Sequence, residues 1–258
     1  MTETEYPISE IFGPTIQGEG PLVGTRTFFV RFAGCDFDCS WCDTKYAVSP
    51  KYEGWSKTMM TAREISDQLE ILGILENDWI TFSGGNPALF VDDALCQHLV
   101  EYRTAMETQG SKALLENVTN WLDCLIVSPK APSSGMAQRM DFADVSDILM
   151  QRRDDQLTAL KYVAFTDKDI RWIKDFTVMI NPPDFVKLYI SAGTPLPTNI
   201  VSTDNEGEDR ISVLDDSRLI VCDSYTSLVE RVLKDPEMKD FTVGLQTHVL
   251  VWGQKRGV

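Results

Sequence analysis

Basic side chains are scarce in this chain, which has 24 Lys and Arg against 39 Asp and Glu among 258 residues and a formal net charge of −15. A protein that binds the phosphate backbone of nucleic acid needs clustered Lys and Arg to displace counterions. Anionic membrane surfaces also attract basic segments rather than acidic ones. We therefore expect neither nucleic acid nor a membrane as a partner, although a few buried basic groups are enough to hold a small anion.

Long apolar runs are also missing. No segment approaches the roughly 20 apolar residues that span a bilayer, and residues 1–9 lack the apolar core of a signal peptide. We therefore expect a cytoplasmic protein whose six cysteines are thiols rather than disulfides. The length suits an α/β domain, and a chain of this size needs no disulfide or metal to fold.

Strand and helix patterns alternate along the chain, which is typical of a parallel sheet with right-handed crossovers. The patterns predict strands at 27–32, 79–82, 112–117, 124–127, 160–165, 186–190 and 241–246. They predict helices at 61–73, 91–106, 145–152, 169–176 and 217–234. Thr61 and Glu64 have the spacing of a capping box at the first helix. Residues 194–216 interrupt the alternation with clustered acidic side chains, and we expect a solvated surface insertion there.

Three of the six cysteines lie within eight residues, as Cys35, Cys39 and Cys42 in the spacing C-x3-C-x2-C. Cysteine thiolates are the usual ligands of iron–sulfur clusters, whereas structural zinc needs four ligands, commonly paired cysteines or nearby histidines. The chain has only two histidines, neither close in sequence. The spacing favours a 4Fe–4S cluster with one iron open to a ligand, and a split zinc site remains the alternative. The other cysteines stand beside apolar residues, and we expect them to be buried: Cys96, Cys124 and Cys222.

A glycine turn, Ser83-Gly84-Gly85-Asn86-Pro87, follows the predicted strand at 79–82. By itself this sequence predicts only a turn that ends a strand. Together with the cysteine spacing, and with an aromatic residue before the last cysteine, it resembles the radical S-adenosylmethionine (SAM) superfamily. That resemblance implies a partial (β/α) barrel with a mostly parallel sheet, in which the open iron and the backbone of the glycine turn bind SAM. Asn86 stands where this superfamily commonly has Glu.

Further motifs narrow the resemblance and cover essentially the whole chain. They are Gln-Gly-Glu-Gly at 17–20, Phe-Val-Arg-Phe-Ala-Gly-Cys at 29–35, Trp-Cys-Asp-Thr-Lys-Tyr at 41–46, Ser-Pro-Lys at 128–130 and Gln-Thr-His at 246–248. With the glycine turn, they resemble the 7-carboxy-7-deazaguanine synthase family. The resemblance implies that 6-carboxy-5,6,7,8-tetrahydropterin is converted to 7-carboxy-7-deazaguanine with loss of ammonia. It also implies a 4Fe–4S cluster that cleaves SAM to a radical, and Mg²⁺ that assists.

The resemblance also implies roles for individual residues. The cluster would be held by Cys35, Cys39 and Cys42, and Mg²⁺ by the hydroxyl of Thr44, which suits a cation that keeps several waters. SAM would contact Trp41, Cys42, Asp43, Gly85, Ser128, Pro129 and Lys130. The pterin would contact Ile16, Gln17, Gly18, Glu19, Arg31, Ser83 and His248, with the guanidinium on the substrate carboxylate.

The same resemblance implies one radical SAM domain over residues 1–258, with 194–216 as an acidic loop insertion. It further implies a homodimer and an external electron donor such as a flavodoxin. Residues 115–120 resemble only loosely the Glu-Thr-Asn-Gly stretch expected near the fourth strand, and we assign no role to Val258 at the chain terminus. Two alternatives remain open: an activating enzyme of the same superfamily that acts on a protein partner, and a non-enzymatic metal-binding module.

Overall fold

The computed structural model describes residues 3–115, 117–194, 216–253 and 255–257, in which nine strands form one open sheet. The strands are β1 (Glu5–Ile16), β2 (Arg26–Phe32), β3 (Thr58–Thr61), β4 (Trp79–Gly84), β5 (Arg103–Thr108), β6 (Cys124–Val127), β7 (Leu157–Ala164), β8 (Lys187–Ala192) and β9 (Phe241–Gly244). The helices are α1 (Ala62–Ile71), α2 (Asp93–His98), α3 (Val118–Trp121), α4 (Phe142–Met150), α5 (Asp167–Ile180), α6 (Asp216–Lys234) and α7 (Thr247–Trp252).

The strand order is β3-β1-β2-β4-β5-β6-β7-β8-β9. Every neighbouring pair from β2 to β9 is parallel, whereas β1 is antiparallel to both β2 and β3. The predicted α/β fold with a mostly parallel sheet is therefore confirmed. Because parallel strands end at the same edge, the loops that follow them meet there, which is where open α/β sheets bind their ligands.

Strand β6 shows that both faces of the sheet are covered. All four of its side chains are buried, and they alternate between two clusters, as the pleat of a strand requires. Leu125 and Val127 join the main core, whereas Cys124 and Ile126 join a smaller cluster with Leu22. Continuous apolar burial of this kind is typical of parallel strands.

Helix α1 illustrates how the helices bury one stripe against the sheet. Ile65 and Leu69 are fully buried and lie four residues apart on the same side of the helix. The predicted capping box is present: the backbone N–H of Glu64 donates to the Thr61 hydroxyl at 3.2 Å, and the N–H of Thr61 donates to the Glu64 carboxylate at 2.8 Å. Two of the four unpaired donors at this helix start are thereby satisfied.

Two predicted elements are wrong. The predicted helix at 91–106 is the short helix α2 followed by strand β5. Thr104, Ala105 and Met106 are buried on both faces of the sheet, so they show no alternation, and pairing with β4 and β6 overrides the helical propensity of Ala and Met. The strand predicted at 112–117 is absent from its described residues, which form bends and loop.

Strands β1 and β3 were not predicted. Strand β1 contains Pro7, Gly13 and Pro14, which argue against a strand when only the sequence is available. Its pairing with β2 shifts register between Ile8 and Glu10 and between Phe12 and Thr15, so bulges absorb the irregular residues. The other predicted strands and helices are present with ends displaced by a few residues.

Two sequence predictions fall on parts of the chain that the structure does not describe. Of the predicted acidic insertion at 194–216, residues 195–215 lie outside the described residues, and so does Val258; Asp216 is the first residue of α6. Within the described ranges, every helix is too short or too polar to cross a membrane.

Candidate active site

The loops at the carboxyl edge of the sheet surround a cavity of about 330 Å³, a size suited to a small ligand. Of the residues predicted for the site, all except Pro129 line this cavity. The cavity combines two kinds of surface. We call one the thiol side, formed by Cys35, Cys39, Cys42 and Gly85, and the other the charged side, formed by Glu19, Glu107 and Lys161.

The thiol side begins where β2 ends. The backbone N–H of Cys42 donates to the carbonyl of Cys39 at 3.2 Å, which closes the loop into a turn. Burial raises the pKa of Cys35 to about 11, and burial also raises the pKa of Cys39 and of Cys42. The free thiols therefore hold their protons at neutral pH, and binding of iron must release them.

The glycine turn after β4 is joined to the cysteine loop by backbone hydrogen bonds. Gly85 N–H donates to the carbonyl of Phe32 at 3.0 Å, and Asn86 N–H donates to that of Gly34 at 2.9 Å. A Cβ on Gly84 would overlap the backbone of Phe32, and one on Gly85 would overlap Gly34. Only glycine permits this close approach. The resulting backbone cradle fits the SAM contact that the sequence resemblance implies.

The thiol side fits an iron–sulfur cluster. The N–H of Phe37 at 3.4 Å and the side-chain amide of Gln109 at 3.7 Å both donate to the Cys35 sulfur, as donors do to the thiolate ligands of clusters. In the part of the chain that the structure describes, no three Cys, His, Asp or Glu side chains converge on one metal ion. A cluster needs no such convergence, because each cysteine binds a different iron.

Lys130 places a cation beside the cysteine loop. Its Nζ donates to the Ser128 hydroxyl at 3.0 Å and lies 5.6 Å from the ring centre of Trp41. The indole N–H of Trp41 donates to the hydroxyl of Ser133 at 3.2 Å, and its ring packs 5.4 Å from Phe165. The ammonium suits a ligand carboxylate, and the indole offers an apolar wall.

Thr44 and Asp43 bring oxygen atoms to the same part of the cavity. The Thr44 hydroxyl lies 3.5 Å from the Cys42 sulfur. Hydroxyl and carboxylate oxygens are the ligands that Mg²⁺ prefers. The donor set therefore fits a hard cation next to the cluster loop.

The charged side is built around a buried lysine. Lys161 Nζ lies 2.6 Å from Glu19 Oε2 and 3.7 Å from Glu107 Oε1. Gln17 donates from its amide to Glu107 Oε1 at 3.3 Å, and the Ser83 hydroxyl donates to Glu107 Oε2 at 3.5 Å. Five side chains from four separate segments therefore form one polar group at the cavity wall.

The ion pair of Glu19 and Lys161 overcomes the cost of burying two charges. Burial by itself raises the pKa of Glu19, but the Lys161 ammonium outweighs it and holds that pKa at about 2. Burial by itself lowers the pKa of Lys161, but the carboxylates of Glu19 and Glu107 raise it above its ordinary value. The Gln246 side chain also lowers the pKa of Glu19, but Oε1 of Glu19 is buried and accepts no hydrogen bond of normal geometry from the described residues, so a ligand can satisfy it.

Gly18 and His248 join the two ends of the chain at this side. The N–H of Thr247 donates to the carbonyl of Gly18 at 3.0 Å, and its hydroxyl donates to the same atom at 3.1 Å. A Cβ on Gly18 would overlap the His248 ring. The Gln-Gly-Glu-Gly and Gln-Thr-His motifs are therefore in direct contact, although they lie more than two hundred residues apart in sequence.

Arg31, predicted to bind a substrate carboxylate, already contacts a carboxylate of the protein. Its Nε donates to Glu10 Oε1 at 2.8 Å across the β1–β2 pair. Glu10 also accepts from the Tyr46 hydroxyl and from Arg256 Nε, each at 2.9 Å. Arg31 lines the cavity, and within the described ranges its terminal nitrogens make no hydrogen bond, so they retain donors for a ligand.

Known proteins are similar in sequence to this chain along nearly its whole length. A family model described as a 4Fe-4S single cluster domain matches residues 16–151. The 7-carboxy-7-deazaguanine synthase of Bacillus subtilis (strain 168) is 38% identical over 98% of both chains. The chain belongs to the 7-carboxy-7-deazaguanine synthase family. The Bacillus cereus member is 37% identical over 99% of this chain and 100% of its own.

Membership of this family makes the chain a radical SAM enzyme with an iron–sulfur cluster. The crystal structure of QueE from Escherichia coli agrees in fold, with a TM-score of 0.62 over 93% of this chain and 94% of that chain. Its sequence identity is 16%. The match therefore supports the fold of the family rather than the details of its site.

Several site residues escaped the sequence analysis. The sequence analysis places a loose form of the Glu-Thr-Asn-Gly stretch at 115–120, but Glu107-Thr108-Gln109-Gly110 differs from it only at the third residue. This stretch spans the end of β5, and its first three residues line the cavity. The predicted helix at 91–106 concealed it. Lys161 gave no local signal, because a single Lys in an apolar strand matches no motif.

The remaining cysteines are only partly as predicted. Cys96 and Cys124 are buried in the core. Cys222 on α6 is exposed, so the prediction that it is buried is wrong. Neighbours in sequence point in different directions on a helix, so apolar residues beside Cys222 do not require that it is buried.

Proposed function

We propose that this enzyme converts 6-carboxy-5,6,7,8-tetrahydropterin to 7-carboxy-7-deazaguanine with loss of ammonia. The observation that carries the proposal is the single cavity in which a three-cysteine loop faces a buried group of charged and amide side chains. A cluster-binding module would need only the thiol side. A small polar heterocycle that reacts beside the cluster needs both.

On the thiol side, Cys35, Cys39 and Cys42 hold the 4Fe–4S cluster. The chemistry that a reduced cluster supplies is one electron for the cleavage of SAM, which starts the rearrangement by a radical. The residues proposed to hold SAM are Trp41, Cys42, Asp43, Gly85, Ser128, Pro129 and Lys130. Among them Lys130 would pair with the carboxylate of SAM, and the Gly85 backbone would receive its amino group in the cradle described above.

On the charged side, the proposed pterin contacts are Ile16, Gln17, Gly18, Glu19, Arg31, Ser83 and His248. We add Glu107 and Lys161 to the proposal because they line the same cavity. A pterin edge presents amino and ring N–H donors beside an acceptor oxygen, and the side chains of glutamate and glutamine are complementary to both. The unpartnered Oε1 of Glu19 accepts from such an edge. The terminal nitrogens of Arg31 bind the substrate carboxylate as a fork.

Beside the cysteine loop, the Thr44 hydroxyl would provide an oxygen ligand to Mg²⁺, a cation that keeps several waters when bound. We further propose that residues 1–258 form one radical SAM domain with 194–216 as an acidic insertion. A homodimer and an external electron donor such as a flavodoxin belong to the same proposal. The cytoplasmic location and the absence of nucleic-acid and membrane partners stay predictions from charge and composition.

The direct test is an anaerobic assay of the reconstituted protein with carboxypterin, SAM, Mg²⁺ and a chemical reductant. We expect a product with the mass of 7-carboxy-7-deazaguanine and one ammonia released per product. A reaction without reductant is the control and should yield neither. Absence of the product from protein with a full complement of iron would overturn the proposal.

A further inference from the structure

A partly buried polar network joins the cysteine loop to its neighbours and centres on the Asp36 carboxylate. Gln109 Nε2 donates to Asp36 Oδ1 at 2.8 Å, and Asn86 Nδ2 donates to the same oxygen at 3.0 Å. The Ser111 hydroxyl donates to Asp36 Oδ2 at 2.7 Å. One carboxylate therefore ties together the loops that follow β2, β4 and β5.

Gln109 occupies a distinctive place in this network, because its amide carries two N–H donors. Besides its bond to Asp36, Nε2 lies within hydrogen-bonding distance of the Cys35 sulfur at 3.7 Å. The residue is 4% exposed. Its backbone is fixed by the end of β5 and by a turn at Gly110, where φ is 76° and a Cβ would overlap Val127.

We propose that Gln109 is a positioning residue for the cluster, which holds Cys35 in place as an iron ligand and makes the cluster easier to reduce. The inference rests on the proposed function in that Cys35 ligates a cluster. A donor aimed at a thiolate stabilises negative charge on sulfur, and the reduced cluster carries more of that charge than the oxidised one. Hydrogen bonds to the ligating sulfurs therefore raise the reduction potential of a cluster.

The network explains why an amide is suited to this position. Asp36 brings a carboxylate next to a group that must accept an electron. Three donors, from Gln109, Asn86 and Ser111, form hydrogen bonds to its oxygens and fix its orientation. Asn86 is itself held by the Thr108 hydroxyl, which donates to its Oδ1 at 2.8 Å.

The test is a potentiometric titration of the reconstituted protein followed by electron paramagnetic resonance, without pterin or SAM. Gln109→Met keeps the length of the side chain and removes both donors. We expect full iron content and a midpoint potential more negative than that of the wild type. The shift should be smaller than loss of both donors to the Cys35 sulfur would cause, because the Phe37 N–H still donates to it. Gln97→Met, the same change at an exposed residue of α2, is the control and should leave the potential unchanged.

An unchanged potential in iron-loaded Gln109→Met would overturn the inference. Gln109→Asn guards against loss of the fold, since the shorter side chain withdraws its amide from Cys35 but remains polar. The same negative shift is expected there, and its absence would contradict the inference equally. The titration needs no turnover. If Gln109→Met shows the expected negative shift but the wild type forms no product from carboxypterin, the result would count against the proposed function alone.

Discussion

The thiol side and the charged side of the cavity are built in different ways. Three thiols come from one eight-residue loop, and the glycine turn that supports it follows the adjacent parallel strand. Glu19, Glu107 and Lys161 come from three distant segments, and Lys161 follows Glu19 by 142 positions in the sequence. The first side depends on local spacing and the second on the topology of the sheet. Substitutions should therefore separate cluster binding from substrate binding.

The largest effect is expected from Cys39→Ala on the thiol side. Removal of one of three ligands should abolish the bound cluster and all product formation, because no fourth protein thiol lines the cavity in the described structure. Iron analysis after anaerobic reconstitution measures the first effect and mass detection of product the second. Cys96→Ala, a change of the same kind in the core, should retain both.

Lys161→Met breaks the charged side. It leaves the carboxylates of Glu19 and Glu107 buried without their ammonium, which should lower the free energy of unfolding by about 3 kcal/mol. Denaturant titration measures the loss, and iron content should stay at the wild-type level. Lys174→Met removes a surface lysine that also pairs with two carboxylates, and it should cost less than about 1 kcal/mol. Equal losses in the two variants would contradict the buried-pair interpretation.

Gly18→Ala tests the contact between the chain ends. The added methyl overlaps the His248 ring, so we expect a cost of about 1–3 kcal/mol in unfolding free energy and a higher KM for carboxypterin. In a His248→Ala background the clash is gone and the cost of the methyl should fall. A cost that is the same in both backgrounds would show that the ring is not the obstacle.

The smallest effect is a dependence of stability on pH. The Lys161 ammonium lowers the pKa of Glu19 to about 2 against the burial that opposes it, from about 4.3 in the unfolded chain. The stabilisation is complete above about pH 5 and is lost as the pH falls through that interval. The difference in unfolding free energy between wild type and Glu19→Gln should therefore be constant from pH 5 to 7 and narrow below pH 5. A difference that widens on acidification would contradict a lowered pKa of Glu19 in the folded protein.

The thiol side of the site could be predicted from the sequence, whereas part of the charged side could not. The cysteine loop and the glycine turn were identified from their spacing, and all the predicted residues except Pro129 line one cavity. Lys161 and Glu107 were missed, since their role arises only when β5 and β7 bring them beside the loop after β1. Glu10, the partner of Arg31, was missed together with β1.

The fold shows a related limit. Strand β4 was predicted because its apolar residues stand out between turn residues, and the capping box predicted the start of α1. The sequence predicts helix at strand β5 because its central residues carry helical propensity and, being buried on both faces of the sheet, show no alternation. Strand β1 was missed because bulges let it contain proline and glycine. Sheet pairing decided β1 and β5, and pairing cannot be derived from local propensity.

The central claim is that two independently built sides of one cavity serve one reaction. The most direct test is equilibrium binding of carboxypterin to wild type, Cys39→Ala and Lys161→Met, with iron counted in each. We predict that Cys39→Ala loses iron but binds carboxypterin within about threefold of wild type. We predict that Lys161→Met keeps its iron but binds carboxypterin at least about tenfold more weakly. Wild-type carboxypterin affinity in Lys161→Met would contradict the claim.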